Sequence, residues 1–174
     1  MLRNTSIILA ALICGSCGTS PVTPEPKVFA PLADLQKSGQ AVARIYSAQI
    51  PFIDVDVDHT WFVVKYADSE DFHRWERWIL KGPYGYISRD AFPPEKDLGA
   101  GGIHVVDELV GPDAEPIVDF IETQSPNYPC RDSQYVVFPG PNSASYVQWV
   151  IDETGWQVNV PFNIIGVNVG DDCK

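Results

Sequence analysis

The spacing of apolar residues along the chain predicts strands first and most of the helical structure later. Residues 59–66 (HTWFVVKY) predict the strongest strand, because β-branched and aromatic side chains fill that segment. Residues 32–40 are polar and broken by a glycine, which predicts a short helix or a lead-in to the first strand. Further strands are predicted at 41–48, 74–80, 86–88, 103–109 and 135–138.

Two main helices are predicted after most of the strands. The first follows Pro112, whose ring suits the start of a helix, and it ends before Pro126. The second begins at Asn142 or Ser143 and ends at Gly155, a suitable C-terminal cap. Strands followed by helices predict an α+β domain with an antiparallel sheet and two main helices.

The N-terminal residues predict an export signal and a tether. Arg3 precedes the apolar run 7–13, and small residues surround Cys17. That run is too short to span a bilayer, which takes about 20 residues of helix. Residues 18–31 hold four prolines, a composition that stays extended. The predicted organisation is a signal peptide at 1–16, a Pro-rich tether at 17–31 and a single globular α+β domain at 32–174.

This N-terminal layout resembles a bacterial lipoprotein signal. Gly15 and Ser16 fit the small positions before the modified cysteine, which makes Cys17 the lipidated first residue of the mature chain. Cys14 follows the bulky Ile13 and is the poorer match; it also stands where such signals usually carry leucine. The resemblance implies a protein of the bacterial cell envelope that faces the periplasm and is held to the membrane by the lipid on Cys17. A plain cleaved signal peptide is the alternative.

Composition places the rest of the chain in the globular class. Of 174 residues, 45% are hydrophobic and 11% aromatic, enough to close a sizeable core. The formal net charge is −11 without any cluster of Lys or Arg, and a surface of this sign repels phosphate backbones and anionic bilayer surfaces. We therefore predict no nucleic-acid partner. The oligomeric state does not follow from the sequence.

Cys130 and Cys173 are expected to form a disulfide. They are the two cysteines that remain after the signal region, an even number in a chain with an export signal. The alternative, Cys130 as a nucleophile, is weaker because no helix start with an adjacent base is visible beside it. The disulfide would hold the C-terminal tail against the domain.

Ser143 is the candidate nucleophile. Tyr146, Val147 and Val150 follow it at helical spacing, so Ser143 begins the apolar stripe of its helix and faces the core or a cleft. The first turn of a helix offers free N–H groups that stabilise an oxyanion, although a serine also needs a base within hydrogen-bond reach. The alternative is that Asn142 or Ser143 only caps the helix.

The candidate bases are the three histidines, His59, His73 and His104. His59 opens the strongest predicted strand, a rigid place for a catalytic group. Glu76 in the next strand can orient its second ring nitrogen, with Asp107 as a further acceptor behind it. His73 lies in a charged turn and is expected to be solvated. A packed core histidine is the alternative for His59.

Asp54, Asp56 and Asp58 have the spacing that opens a calcium-binding loop. We reject this motif because His59 stands where the loop needs glycine and Lys65 where it needs a bidentate glutamate. A looser cation site among the three carboxylates is the alternative to a solvated acidic turn. The histidines lack zinc-ligand spacing. We predict no metal and no cofactor.

Four segments resemble an uncharacterised bacterial domain-of-unknown-function family: HTWFVVK, RWERW, GPDAE and PGPNSASYVQWV. Members of that family share an HTW strand and a GPNS helix start. The resemblance covers about residues 41–166. It implies no established activity.

A more distant resemblance is to circularly permuted papain-like proteins, including the lecithin retinol acyltransferase-like group. Those proteins carry a histidine on an early strand and an Asn-Cys-x-x-Phe nucleophile helix late in the chain. The resemblance implies a permuted papain-like fold with Ser143 as nucleophile, His59 as base and Glu76 as the third polar member. Serine stands where the group has cysteine, and it must lose its proton in the reaction step, so the site is either a working serine variant or a relative that only binds.

Two functional hypotheses follow. In the first, a cleft between the His59 strand and the Ser143 helix hydrolyses or transfers an amide or ester, and the substrate is a cell-wall peptide or a lipid ester. In the second, the protein is a non-catalytic binding or structural lipoprotein. Asn142, Trp61 and Trp78 are the predicted binding residues, and Trp78 is of interest because strand alternation turns it away from Trp75.

Overall fold

The computed structural model describes residues 27–50, 58–97, 102–158 and 173. A 3-10 turn, Ser125–Asn127, follows the second helix. The helices and strands run in the order α1 (Leu32–Gln36), β1 (Val42–Gln49), β2 (Asp58–Lys65), β3 (His73–Gly82), β4 (Gly85–Arg89), β5 (Ile103–Val110), α2 (Glu115–Gln124) and α3 (Ser143–Thr154).

The strands form one five-stranded sheet in the order β4-β3-β2-β1-β5, and every described pairing is antiparallel. β1 and β2 lie at its centre and are buried along nearly their whole length. Strands buried on both faces read as continuous apolar runs rather than as alternating ones. The α+β class, the antiparallel sheet and the two main helices, here α2 and α3, are thereby confirmed.

The two faces of the sheet pack against different parts of the chain. Phe62 and Val64 of β2 lie on the face covered by α2 and α3, where they share a core with Tyr146 and Val147. We call this the helix face. Trp61 and Val63 of β2 lie on the other face, against α1 and the loop 91–97. We call this second face the loop face. Adjacent residues of a strand therefore face entirely different surroundings.

The α3 helix carries both of its predicted end signals. Asn142 is the N-cap: its side chain accepts from the backbone N–H of Ser145, whose hydroxyl in turn accepts from the N–H of Asn142. Gly155 ends the helix in the left-handed conformation, with φ of 68°, which glycine adopts without steric cost. α2 begins at Glu115 rather than at Pro112, because residues 111–114 form a turn first.

The strand predicted at 135–138 is wrong. This segment pairs with no described strand, and the carbonyls just before it, of Ser133 and Gln134, accept hydrogen bonds from the buried Arg77 guanidinium. The amide of Asn142 donates to the carbonyl of Val137. Side-chain donors thus form hydrogen bonds with backbone carbonyls that would pair with a neighbouring strand in a sheet. The other five predicted strands correspond to β1 through β5, with small differences at their ends.

The predicted signal peptide, Cys17 and most of the tether lie outside the described residues. Of the tether, residues 27–31 are described, and they touch the sheet: Lys27 Nζ lies 2.5 Å from Asp107 Oδ1, and Arg44 donates to the carbonyl of Ala30 at 2.6 Å. Packing on the domain therefore begins before residue 32. No helix in the described ranges has the length and apolar character needed to cross a membrane.

The disulfide between Cys130 and Cys173 is present, with a Cα–Cα distance of 5.0 Å. Cys130 is fully buried in the core of the helix face, and Cys173 packs against the same core. The predicted pairing is confirmed, and it joins the end of the chain to the segment that follows α2.

Candidate functional site

Three buried ionisable side chains, His59, Arg74 and Glu76, form one hydrogen-bonded cluster on the loop face. His59 Nε2 lies 2.7 Å from Glu76 Oε2, and Arg74 Nη2 lies 2.8 Å from the same oxygen. An ionised carboxylate only accepts, so the imidazole and the guanidinium both donate. Strand alternation puts Arg74 and Glu76 on the same side of β3, as their spacing of two requires. We call these three residues the ionic cluster.

Aromatic rings enclose the ionic cluster. The Trp61 ring lies 4.1 Å from the Arg74 guanidinium carbon and stacks on His59. Trp78 meets His59 edge-on with ring centroids 4.9 Å apart, and Phe92 packs against Trp78 in the same way at 5.3 Å. An apolar wall of this kind excludes water and strengthens the charge interactions inside it.

The environment of Glu76 lowers its pKa. Burial alone would raise the pKa of this carboxyl, but the hydrogen bonds and charges of His59 and Arg74 outweigh burial. Glu76 is therefore an ionised carboxylate in the folded protein at neutral pH. It balances the permanent charge of Arg74.

The ionic cluster keeps two unused hydrogen-bonding positions. Arg74 donates through Nη1 to the carbonyl of Lys96 at 3.1 Å. Within the described part of the chain, however, Arg74 Nε and Glu76 Oε1 are buried without a partner. One donor and one acceptor thus remain in the interior of the loop face.

Ser143 begins α3, and its side chain lies against the backbone of β2. Its hydroxyl accepts a hydrogen bond from the backbone N–H of Thr60 at 3.2 Å. The described pairing of β2 with β3 covers only Phe62 to Val64, so Thr60 lies beyond the paired stretch and Ser143 supplies an acceptor there. The N-terminus of α3 therefore packs directly on β2, and no cleft separates them at this point.

The predicted pair of Ser143 and His59 is not formed. Thr60, Phe62 and Val64 face the helices, whereas His59 points to the loop face with Trp61. Ser143 is 2% exposed and His59 1% exposed. The side chain that β2 turns toward α3 next to Ser143 is that of Thr60, a hydroxyl that cannot serve as a general base.

Glu76 does meet His59, as predicted, whereas Asp107 does not. Asp107 lies on β5, two strands away from β2, where it accepts from Lys27 and from the indole of Trp156. His73 pairs with Asp90 near the surface at 2.8 Å. His104 is exposed on β5.

The predicted binding residues have three different roles. Asn142 is buried and caps α3, so the capping alternative holds for it. Trp61 is fully buried and donates through its indole to the carbonyl of Pro94 at 2.9 Å. Only Trp78 is half-buried and lines an open surface groove.

The groove beside Trp78 lies along the β3–β4 hairpin and has a volume of about 360 Å³. It is lined by Trp78, Leu80, Tyr84 and Phe92, and by Ser88 of β4. We call it the hairpin groove. Trp78 and Phe92 also wall the ionic cluster, so the two features share a boundary.

Sequence reasoning missed two parts of this site. Phe92 lies in a segment without regular periodicity, and nothing local indicates that it returns to Trp78. Arg74 carried a usable signal: in RWERW, Arg74 and Glu76 are two residues apart and must share a face of any strand. Among the described residues, no group of three or more His, Cys, Asp or Glu is placed to hold a metal ion. Asp54 and Asp56 lie outside the described ranges.

Comparison with known proteins adds a family but no activity. No curated protein and no solved structure matches the chain. A family model described as protein of unknown function (DUF3750) matches residues 40–169, which include β1 to β5, α2 and α3. The predicted membership of an uncharacterised domain family is confirmed: the chain belongs to the DUF3750 family of proteins of unknown function.

Proposed function

We propose that this protein is a non-catalytic lipoprotein of the bacterial cell envelope that binds a ligand in the hairpin groove. One observation carries the choice of binding over catalysis: the Ser143 hydroxyl accepts from the backbone N–H of Thr60, whereas the His59 ring is hydrogen-bonded to Glu76. A serine nucleophile requires a base within hydrogen-bond distance, and Ser143 instead accepts from a backbone N–H.

The hairpin groove is the proposed binding site. Its volume of about 360 Å³ lies in the range of small-molecule sites, about 300–1,000 Å³. Trp78, Tyr84 and Phe92 offer ring faces to an acyl chain or a sugar ring, while Ser88 and Lys81 provide polar contacts. The ionic cluster supports this wall from behind, because His59 contacts Trp78 directly.

The hydrolase hypothesis remains the second candidate, with a permuted papain-like fold and a cell-wall peptide or lipid ester as substrate. The hydrogen bond between His59 and Glu76 favours it, since this is how a carboxylate orients a catalytic imidazole. It requires Ser143 to leave the helix face, or another nucleophile to reach the loop face.

The decisive experiment is to treat the folded mature protein with a fluorophosphonate serine probe and map modified peptides by mass. We expect no modification of Ser143, because the hydroxyl is buried and has no base. In parallel, soluble cell-wall peptides and lipid esters are titrated while the melting temperature is followed, and we expect stabilisation that Trp78→Ala abolishes.

The outcomes of this experiment separate the two hypotheses. Labelling of Ser143 that disappears in His59→Ala would establish the hydrolase. Stabilisation that survives in Trp78→Ala would remove the hairpin groove as the binding site. Trp75→Phe is the matched aromatic control, because Trp75 lies on the same strand but faces the helices.

The lipid anchor has its own test. Cells that express the full chain are fed a labelled fatty acid, and we expect the label on the mature protein and its recovery with membranes. Cys17→Ala is expected to remove both, whereas Cys14→Ala is expected to leave the labelling in place. Labelling that survives in Cys17→Ala would contradict the assignment.

A further inference from the structure

The tip of the β3–β4 hairpin exposes two consecutive aliphatic side chains. Ile79 is 60% exposed and Leu80 is 71% exposed, and across the turn Tyr84 is 39% exposed. Pro83 and Lys81 complete the exposed tip. Adjacent exposed aliphatic residues on a soluble surface mark an interaction site.

The neighbouring segment 131–138 adds to the same apolar surface with Val136 and Phe138, which are both exposed. This segment lies against the hairpin: Lys81 Nζ is 3.1 Å from Asp132 Oδ1, and the Tyr86 N–H donates to the Arg131 carbonyl at 2.6 Å. Elsewhere in the described ranges, the large apolar residues with high exposure are Val28 and Tyr66. Among the described residues, five of the seven large apolar side chains with high exposure thus belong to the hairpin tip or to the segment beside it.

The direction of the tip side chains indicates what covers them. Leu80 lines the hairpin groove together with Trp78, whereas Ile79 lies outside the groove, so the two side chains point in different directions. A protein partner that docks against one face of the hairpin would cover one of them and leave the other in water. A lipid layer surrounds an inserted tip and covers both.

The charges near the tip fit a phospholipid surface. Lys81 is 56% exposed at the side chain and Arg131 45% exposed; both are paired with the exposed Asp132, so these three side chains carry one net positive charge. Lysine in such a position keeps its amine among headgroups while its aliphatic stem lies against apolar surface. Tyr84 and Tyr86 are of the residue type found at membrane–water interfaces. The chain as a whole carries −11, so its charge opposes contact with an anionic bilayer and does not oppose contact with a neutral one.

The chain outside the described structure is long enough to allow this contact. The segment from Cys17 to Lys27 spans at most about 35 Å when fully extended. Lys27 is held at Asp107 on the edge strand β5, and the hairpin lies at the opposite edge, about 20 Å away across five strands. A lipid on Cys17 and the hairpin tip can therefore reach the same bilayer.

We propose that the β3–β4 tip, residues 79–84, inserts into the surface of a phospholipid bilayer and that the hairpin groove opens beside that surface. The inference rests on the proposed envelope location and extends it: the domain contacts the membrane directly as well as through its anchor. A ligand that enters the groove then comes from the membrane rather than from bulk water.

The test uses the mature chain with Cys17→Ala, which carries no lipid, and vesicles of phosphatidylcholine with and without phosphatidylglycerol. We expect the protein to float with phosphatidylcholine vesicles, and less with those that contain phosphatidylglycerol, because the net charge of −11 opposes an anionic surface. The double variant Ile79→Ser/Leu80→Ser is expected to lower the partition coefficient about tenfold or more, because two aliphatic side chains no longer enter the apolar layer. Val28→Ser is the matched control, since Val28 is 95% exposed outside the tip, and it is expected to change nothing.

A second readout reports the depth of the tip. A polarity-sensitive fluorophore on Lys81→Cys is expected to shift to the blue with vesicles, whereas the same fluorophore on Lys96→Cys, outside the tip, is not. Three results would overturn the proposal: no flotation of the parent chain, equal flotation of the double variant, or binding that moderate salt abolishes, which would indicate adsorption by charge alone.

A second copy of the chain is the competing occupant of this surface. A dimer in solution that Ile79→Ser/Leu80→Ser dissociates, without vesicle binding by the parent, would assign the tip to self-association. The result is also separable from the proposals above. If Cys17 is not lipidated, the vesicle experiment is unaffected, because it uses the Cys17→Ala chain. If the protein does not float with vesicles, ligand binding in the hairpin groove is still decided by the melting-temperature experiment.

Discussion

Replacing Glu76 with glutamine is expected to lower the free energy of unfolding by about 3–5 kcal/mol. The carboxylate accepts from both His59 and Arg74, and all three side chains are buried. The neutral amide leaves the Arg74 charge without its counter-charge in a water-excluded site. The measurement is denaturant unfolding of the mature protein at pH 7, followed by far-ultraviolet circular dichroism.

The matched control is Glu70→Gln, which neutralises an exposed carboxylate in the turn before β3. Its effect is expected to stay within about 0.5 kcal/mol. The double variant Arg74→Met/Glu76→Gln is expected to lose less than the two single changes together, because it removes the charge and its partner at once. A loss below about 1 kcal/mol in Glu76→Gln would show that the ionic cluster contributes little.

The stability difference between the parent and Glu76→Gln is also expected to depend on pH. The folded-state pKa of Glu76 lies below its ordinary value of 4.5, so its contribution is fully present above that pH. It is lost as the pH falls through the folded-state pKa, because the unfolded chain then binds the proton more readily. The two proteins should therefore converge in stability in acid, and a difference that grows in acid would contradict the assignment.

Removing the disulfide is expected to cost about 4 kcal/mol. Cys130 and Cys173 are 43 residues apart, and the bond restricts the unfolded chain over that loop. The double variant Cys130→Ser/Cys173→Ser is compared with the parent by denaturant unfolding, with and without reductant. Reductant is expected to move the parent midpoint to that of the variant and to leave the variant unchanged.

A parent midpoint that reductant does not move, while mass analysis shows both thiols free, would contradict this expectation. The location of Cys130 makes a local effect measurable as well. Its carbonyl accepts from Arg77 Nη1 at 2.6 Å, and Arg77 also holds the carbonyls of Ser133 and Gln134. Loss of the bond is therefore expected to increase amide exchange in the segment that follows α2.

The sequence could not reveal on which side of the sheet His59 lies. β2 is buried along its whole length, so polar and apolar residues do not alternate and no face is marked as the core. The prediction that Ser143 meets His59 depended on which face of the sheet His59 takes. A shift of one residue exchanges the faces of every side chain in a strand.

On β3 the same rule of alternation worked. Placing Trp75 and Ile79 toward the core turns Glu76 and Trp78 the other way, and the structure puts Trp75 with the helices and Glu76 and Trp78 on the loop face. Ile79 is instead 60% exposed, beyond the point where the pairing of β3 with β4 shifts register. The strand predicted at 135–138 shows where local residue preferences are not enough. Its β-branched and aromatic residues favour a strand locally, but none of the described strands lies beside it to complete the backbone hydrogen bonds.

The sequence by itself determined the fold class, the five strands, both caps of α3, the disulfide pairing and the family. These features depend on local spacing, on residue types at helix ends and on a count of two cysteines. Only the tertiary structure decided that Glu76 holds His59 together with Arg74, that Ser143 contacts the backbone of Thr60, and that Trp78 and Phe92 form one wall. Those contacts join residues far apart in the chain, and strand register and packing fix them rather than any local preference.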